Sequence, residues 1–227
     1  MAEVAKRSDL GVRSASAVVM LLVAGTALWL GDIYFLGFVF LVSATLLFEW
    51  FQLVRGFARS ALSRIIWLLG GFFYIGAAGW MLIVLRANGF VPLLIFFIGT
   101  VVATDVGAYF SGRLIGGPKI APAISPSKTW AGLFGGMTLA ALLAGIGIAA
   151  TGSTPQQASF SALGAALLAI VAQAGDFFES WMKRRAGVKD SGTLIPGHGG
   201  VFDRIDGLLP VVIVGTVFAA LLAGGQL

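Results

Sequence analysis

Cysteine is absent from the 227 residues, which removes disulfide frameworks, zinc–thiolate sites and cysteine nucleophiles together. Charge is scarce, with Asp, Glu, Lys and Arg making up 11% of the chain, against about a quarter in an average soluble domain. Hydrophobic residues reach 58% and the mean hydropathy is +0.96. So little polar surface cannot coat a globule, which excludes a soluble single domain. Disorder is excluded as well, because it needs low hydrophobicity and high charge. What the chain has in excess is glycine, 32 residues, about twice the usual share. Small residues of this kind let helix backbones approach closely in lipid. The composition is that of an integral membrane protein.

A helix needs about 20 apolar residues to cross roughly 30 Å of hydrocarbon. Seven windows qualify, at 14–30, 33–54, 65–85, 89–110, 129–150, 158–180 and 207–224. The pattern predicts an all-α polytopic bundle of about seven spans, within a range of six to nine. Residues 105–113 and 176–185 continue two of the helices beyond the apolar region with polar side chains. Gly70, Gly71, Gly76 and Gly79 could divide the third window into two shorter helices. The first window reads as a span and not as a cleaved leader, since no small-residue cleavage site follows it. The alternating ten-residue segments of a membrane β-barrel are not seen.

Basic residues sit in four regions: Lys6, Arg7 and Arg13; Arg55, Arg59 and Arg64; Arg113, Lys119 and Lys128; and Lys183, Arg184, Arg185, Lys189 and Arg204. With seven spans these regions fall on one side, leaving only Arg86 opposite. The positive-inside rule predicts a cytoplasmic N-terminus and cytoplasmic site loops on a multi-pass inner-membrane protein. The pI of about 10.0 is then topological, and no nucleic-acid partner is expected. Residues 1–100 read as packing and oligomer-contact helices, and 101–227 as the functional region.

An ionisable group beside a membrane helix is costly and marks function by default. Of ten carboxylates, Glu3, Asp9 and Asp32 read as surface or helix-end residues, and Glu49 lies near the cytoplasmic end of the second span. The other six (Asp105, Asp176, Glu179, Asp190, Asp203 and Asp206) gather in or beside the last two polar regions. Asp176, Glu179, Ser180 and Lys183 follow at i, i+3, i+4 and i+7, one helical face. Phe202-Asp203-Arg204-Ile205-Asp206 begins the last span, with Asp203 and Asp206 again on one face. Carboxylates from two helix ends can converge on a hard cation such as Mg²⁺, which completes its shell with water and phosphate oxygens. The alternative is that Asp176 and Asp203 form juxtamembrane ion pairs with Lys183 and Arg204. Between the two runs, Gly197, Gly199 and Gly200 can form an anion-binding nest around His198, the one histidine, with Lys189 nearby. Upstream, Asp105, Tyr109 and Arg113 share a face. Ser125-Pro126-Ser127-Lys128-Thr129-Trp130 then opens the next helix, either as a phosphate seat or as an ordinary cap.

The segment from Ser180 through Lys183, Arg184, Arg185, Lys189, Asp190, Pro196, His198, Gly199 and Gly200 to Asp203, Arg204 and Asp206 closely resembles the signature of the phosphatidate cytidylyltransferases, the CDP-diacylglycerol synthases. It covers 27 contiguous residues, and the runs Gly175–Ser180 and Ser125–Trp130 resemble further motifs of that family in the expected order. Ala131 departs from the pattern, standing where the family usually carries a glutamate. The resemblance extends over 100–210, while the earlier residues match only as hydrophobic spans.

The resemblance implies that CTP and phosphatidate give CDP-diacylglycerol and pyrophosphate, with Mg²⁺ required and often a monovalent cation such as K⁺. The implied roles place Mg²⁺ on Asp176 and Asp203, with Asp206, Glu179 and Asp105 completing its surroundings. Lys183, Lys189 and Arg204 neutralise phosphates, while Ser125, Lys128, Thr129 and Ser180 orient nucleotide or lipid phosphate. The turn carrying His198, Gly199 and Gly200 closes over the triphosphate. Lys183, Asp203, Arg204, Asp206 and Lys128 are the residues expected to carry the chemistry. Glycine-rich spans and the family together point to a homodimer. Two rival readings stand beside this one: cytidylyl transfer to another lipid phosphate, and an ion or solute transporter. No paired broken helices of the transporter kind are seen.

Overall fold

The structure, a computed structural model, describes residues 2–195, 199–222 and 224, without the side chains of 2–10 and 12–14. Among these residues the chain forms helices and no strand: α1 Ala2–Leu30, α2 Asp32–Phe57, α3 Ala61–Ala87, α4 Val91–Leu114, α5 Trp130–Ala150, α6 Pro155–Ala186, α7 Phe202–Ile205 and α8 Leu208–Leu222. The all-α membrane architecture expected from composition is the one that forms. Helices α2 to α6 are each long and apolar enough to cross a bilayer, and Ala15–Leu30 and Leu208–Leu222 add two shorter apolar helices. Large apolar side chains such as Phe40, Phe73, Trp80, Ile146 and Leu221 stand exposed on these helices, a surface that only lipid tolerates at this density.

Two expectations change. The third apolar window does not divide: α3 runs unbroken through all four of its glycines. Two of these are contact points for α2. A β-carbon on Gly71 would lie 2.3 Å from the Trp50 indole nitrogen, and one on Gly79 2.9 Å from Ser43 Oγ. The run 202–206, expected to begin the last span, is set off from it instead, because a turn at Asp206–Gly207 separates α7 from α8. Asp206 Oδ1 accepts a hydrogen bond from the Gly207 amide at 2.8 Å, a local bond of the kind that competes with helix formation. Asp203 and Asp206 therefore do not ride on one helix. The 15 residues of α8 rise only about 22 Å.

The chain packs as two compact units, one of Met1–Ala87 with Met182–Ile205 and the other of Asn88–Trp181 with Asp206–Leu227. In the first, α1 hands over to α2 at Gly31, whose φ of 69° is left-handed. Arg86, the one cation read as lying opposite the rest, donates from Nε to the Leu28 carbonyl at 2.9 Å. That bond satisfies a carbonyl at the end of α1 that its own helix leaves open. Trp50 anchors the α2–α3 pair by donating to the Trp67 carbonyl at 2.8 Å.

In the second unit, α4 and α5 meet along glycines. A β-carbon on Gly107 would lie 2.6 Å from the Gly135 carbonyl oxygen, and one on Gly136 2.7 Å from that of Thr104. Thr129 caps α5, its hydroxyl accepting from the Gly132 amide at 3.0 Å. The loop before it is pinned by the amides of Ile120 and Trp130, which donate to the carbonyls of Lys128 and Pro118 at 3.1 Å each. This fixes where Lys128 emerges.

The glycine seam sets a direct expectation. Gly107→Ala should cost about 1–3 kcal/mol by overpacking, because the obstructing atoms are backbone and cannot yield. Gly147→Ala on α5, where nothing lies within 4 Å, should be neutral. Thermal midpoints in detergent check the pair.

Candidate functional site

The second unit holds a cavity of about 320 Å³ lined from α4 by Asp105, Tyr109 and Arg113, from the capped loop by Ser127, Lys128 and Thr129, and from α6 by Gln173 and Asp176. Lys128 is its central cation. Its ammonium forms an ion pair with Asp176, donates to Gln173 Oε1 at 3.0 Å and stands 4.8 Å from the centre of the Phe177 ring. Ser180 Oγ donates to Asp176 Oδ1 at 3.4 Å. Across the cavity, Arg113 donates to the Tyr109 hydroxyl at 2.7 Å.

Three carboxylates converge here. Ligand oxygens of Asp176, Glu179 and Asp206 lie within 4.8 Å of one another. Asp176 and Glu179 come together because α6 stays helical past its apolar stretch, and Asp206 joins them because Gly175 leaves room. A β-carbon on Gly175 would sit 2.4 Å from the Asp206 carbonyl oxygen. Burial, with the nearby charges of Asp176 and Asp105, pushes the Asp206 carboxyl up to about 7, against the opposing pull of the Gly207 amide and Lys128. Glu179 is 1% exposed. An all-oxygen donor set of this kind suits a hard divalent cation, and these three residues fit one. Asp105 lines the same cavity without belonging to the three-carboxylate group.

The first unit holds a different cluster. Lys183 Nζ pairs with Asp203 Oδ1 at 2.6 Å. The other oxygen of Asp203 accepts from the Ser191 amide at 2.9 Å, the Ser191 hydroxyl at 2.9 Å and the Gly200 amide at 2.8 Å. Gly199 has a φ of 80°, and a β-carbon there would lie 2.7 Å from Asp203 Oδ2. Gly199 and Gly200 thus lie against the protein's own carboxylates, and the Gly200 amide, one of those expected to face a triphosphate, is spent on Asp203. Glu49 completes the cluster: Oε1 accepts from Val201 N at 2.9 Å, and Oε2 from Phe202 N at 2.8 Å and Ser191 Oγ at 3.1 Å.

The sequence-derived candidates are therefore distributed as follows. Asp176, Glu179 and Asp206 come together, with Lys128, Thr129 and Ser180 on or beside the same cavity. Lys183, Asp203 and Gly200 come together in the other unit, with Gly199 against Asp203. Ser125 is buried, and its carbonyl accepts from the Lys128 amide at 3.4 Å, so it shapes the turn that presents the lysine. Lys189 and Arg204 are exposed, on the loop and on α7. Gly197 and His198 lie outside the described residues. Asp176 pairs with Lys128, and Asp203 with Lys183. Gln173, Ser127, Ser191 and Glu49 escaped the sequence reading. An isolated amide or hydroxyl carries no spacing signal, and Glu49 lies 142 residues from Ser191.

Residues 58–222 match the Cytidylyltransferase family. The phosphatidate cytidylyltransferase of Brucella suis is 45% identical over 160 residues, which is 69% of this chain and 58% of that protein. That of Pseudomonas aeruginosa is 43% identical over 136 residues, 60% of this chain and 48% of that protein. The chain thus spans about half the length of these two relatives. The phosphatidate cytidylyltransferase of Rickettsia bellii is 34% identical over 211 residues, 90% of this chain and 88% of that protein. With a family model matching most of its length, the chain belongs to the cytidylyltransferase family.

Proposed function

We propose that this protein transfers the cytidylyl group of CTP to phosphatidate, giving CDP-diacylglycerol and pyrophosphate at the surface of a membrane. The observation that carries the reading is the convergence of Asp176, Glu179 and Asp206, with Asp176 paired to Lys128 in the wall of a cavity. Both substrates are polyanions, so their repulsion has to be cancelled before a phosphate oxygen can reach the α-phosphorus of CTP. Transfer of this kind is achieved mostly by positioning and electrostatics. A divalent cation held by the three carboxylates would supply charge neutralisation and a template for phosphate oxygens.

The chain's own residues do the rest. Lys128 is fixed by the turn ahead of α5 and by Gln173, so its charge is aimed at the cavity and not spread over several conformers. Arg113, braced by the Tyr109 hydroxyl, offers a second cation at the cavity wall. A phosphate monoester is already largely ionised near neutral pH, so no strong general base is needed.

Three measurements test the reading. Incorporation of radiolabelled CTP into lipid should require added phosphatidate and should be abolished by EDTA and restored by Mg²⁺. Incorporation into other lipid phosphates, but not phosphatidate, would support the rival acceptor. Asp206→Asn and Asp176→Asn should each lower turnover by at least about 100-fold, the scale on which removing one preorganised electrostatic group acts. Retained activity in either removes that residue from the cation site.

The same reading places the basic loops and the N-terminus in the cytoplasm. The absence of native cysteine makes this directly measurable. In intact cells, a membrane-impermeant maleimide should label Ser153→Cys and leave Lys189→Cys unlabelled until the membrane is broken. The opposite pattern overturns the orientation.

A further inference from the structure

Glu49 is a buried carboxylate that the acidic clusters of the C-terminal half do not explain. It sits on α2, is 1% exposed, and reaches residues 142 to 153 positions later in the chain. Burying a carboxylate is costly unless donors replace its water. Here the donors are the amides of Val201 and Phe202 and the hydroxyl of Ser191. Those two amides open α7, where no intrahelical carbonyl is available to them. Phe202, itself 1% exposed, packs its ring 5.8 Å from that of Trp50, the residue after Glu49. One turn of α2 therefore grips the start of α7 by charge and by packing.

We propose that Glu49 is a positioning residue for Asp203 and Lys183, an inference that rests on the cytidylyl-transfer reading for what those two residues are positioned to do. Ser191 Oγ lies 3.1 Å from Glu49 Oε2 and 2.9 Å from Asp203 Oδ2, so it stands between the two carboxylates. Its single hydroxyl hydrogen serves one of them at a time. The Ser191 amide holds Asp203 at 2.9 Å and the Gly200 amide holds it at 2.8 Å, and Gly200 precedes the residues Glu49 anchors. Asp203 in turn fixes Lys183 at 2.6 Å. The order of dependence runs from Glu49, through Ser191 and the backbone of 200–202, to the Asp203–Lys183 pair. Gly200 packs closely against both side chains, because a β-carbon there would clash with Ser191 Oγ and lie 2.7 Å from both Glu49 oxygens. Glu49 need not touch substrate. Its charge is matched by the ends of two N–H groups, and its effect passes through the loop it holds.

The test uses full-length protein in detergent, with two readouts that fail independently. The first is hydrogen exchange of the amides of Gly200, Val201 and Phe202, which needs no activity. Glu49→Gln puts an amide donor where backbone N–H groups need an acceptor, and should speed exchange of this segment at least about 10-fold by local opening. Exchange in α4 and α5 should stay unchanged. The second is steady-state kinetics of CDP-lipid formation. Glu49→Gln should lower kcat by about 10- to 100-fold, the usual range for loss of a supporting group behind a functional one, with little change in KM for CTP. Glu49→Asp keeps both oxygens and the charge and should recover much of kcat. If Glu49→Gln does not fold, Ser191→Ala removes the hydroxyl between the carboxylates and should shift both readouts the same way.

Unchanged exchange at 200–202 in Glu49→Gln overturns the inference whatever the enzyme does. So does a lowered thermal midpoint with kcat per folded molecule intact, which marks a purely structural role. Faster exchange in the variant, with wild-type protein making no CDP-lipid, would uphold the anchor and sink the catalytic reading instead.

Discussion

Carboxylates in an apolar frame need donors or cations, and the way this chain meets that need shapes both of its polar clusters. A buried carboxylate is stable only if its lost water is replaced. Glu49 and Asp203 are met by backbone amides, a hydroxyl and one lysine. Asp176, Glu179 and Asp206 are brought together with a single lysine in bridging contact with Asp176. The first arrangement saturates its oxygens internally and holds a loop. The second crowds negative charge and raises Asp206, leaving a place where a divalent cation would be welcome. The two clusters thus differ in kind: one holds a loop together with the Asp203–Lys183 pair, and the other gathers three carboxylates whose oxygens fit a hard cation.

The helices can support such clusters because they pack through small residues. Without water to drive association in lipid, close backbone approach and polar contacts do the work. The α4–α5 seam shows the first at Gly107, Gly135 and Gly136, where a single methyl would meet a carbonyl oxygen or a side chain of the opposite helix. That seam also fixes the wall of the 320 Å³ cavity, since Asp105, Tyr109 and Arg113 project from the same helix as Gly107. Rigidity of the frame and geometry of the site are one property.

Much of this was legible beforehand. The seven apolar windows locate seven helices, and the i, i+3 spacing of Asp176 and Glu179 puts them where they converge. Lys128 was readable from its place before a capped helix, because the cap and the presented lysine share one turn. The reading was weaker wherever a residue's role depends on a distant segment. The partners of Asp203 within its own unit, Lys183, Ser191 and Gly200, follow from no spacing in the sequence. The glycine turn at 199–200 looked like an anion nest for a nucleotide. Among the described residues, Gly199 and Gly200 lie against protein carboxylates, and the arrival of Glu49 from α2 is announced by no local pattern.

Composition and period by themselves determined that the chain is helical, membrane-embedded and acidic only at chosen points, since hydrophobic length and charge placement are local properties summed along the sequence. Only the tertiary structure decided which acids meet. Asp206 turned out to sit on a turn and not on a helix, Gly71 and Gly79 became contacts in place of breaks, and Glu49 found its partners some 150 residues away. The reason is that a buried carboxylate takes whichever donors the packed backbone brings to it, and that choice is made by helix-on-helix geometry, which no stretch of sequence carries alone.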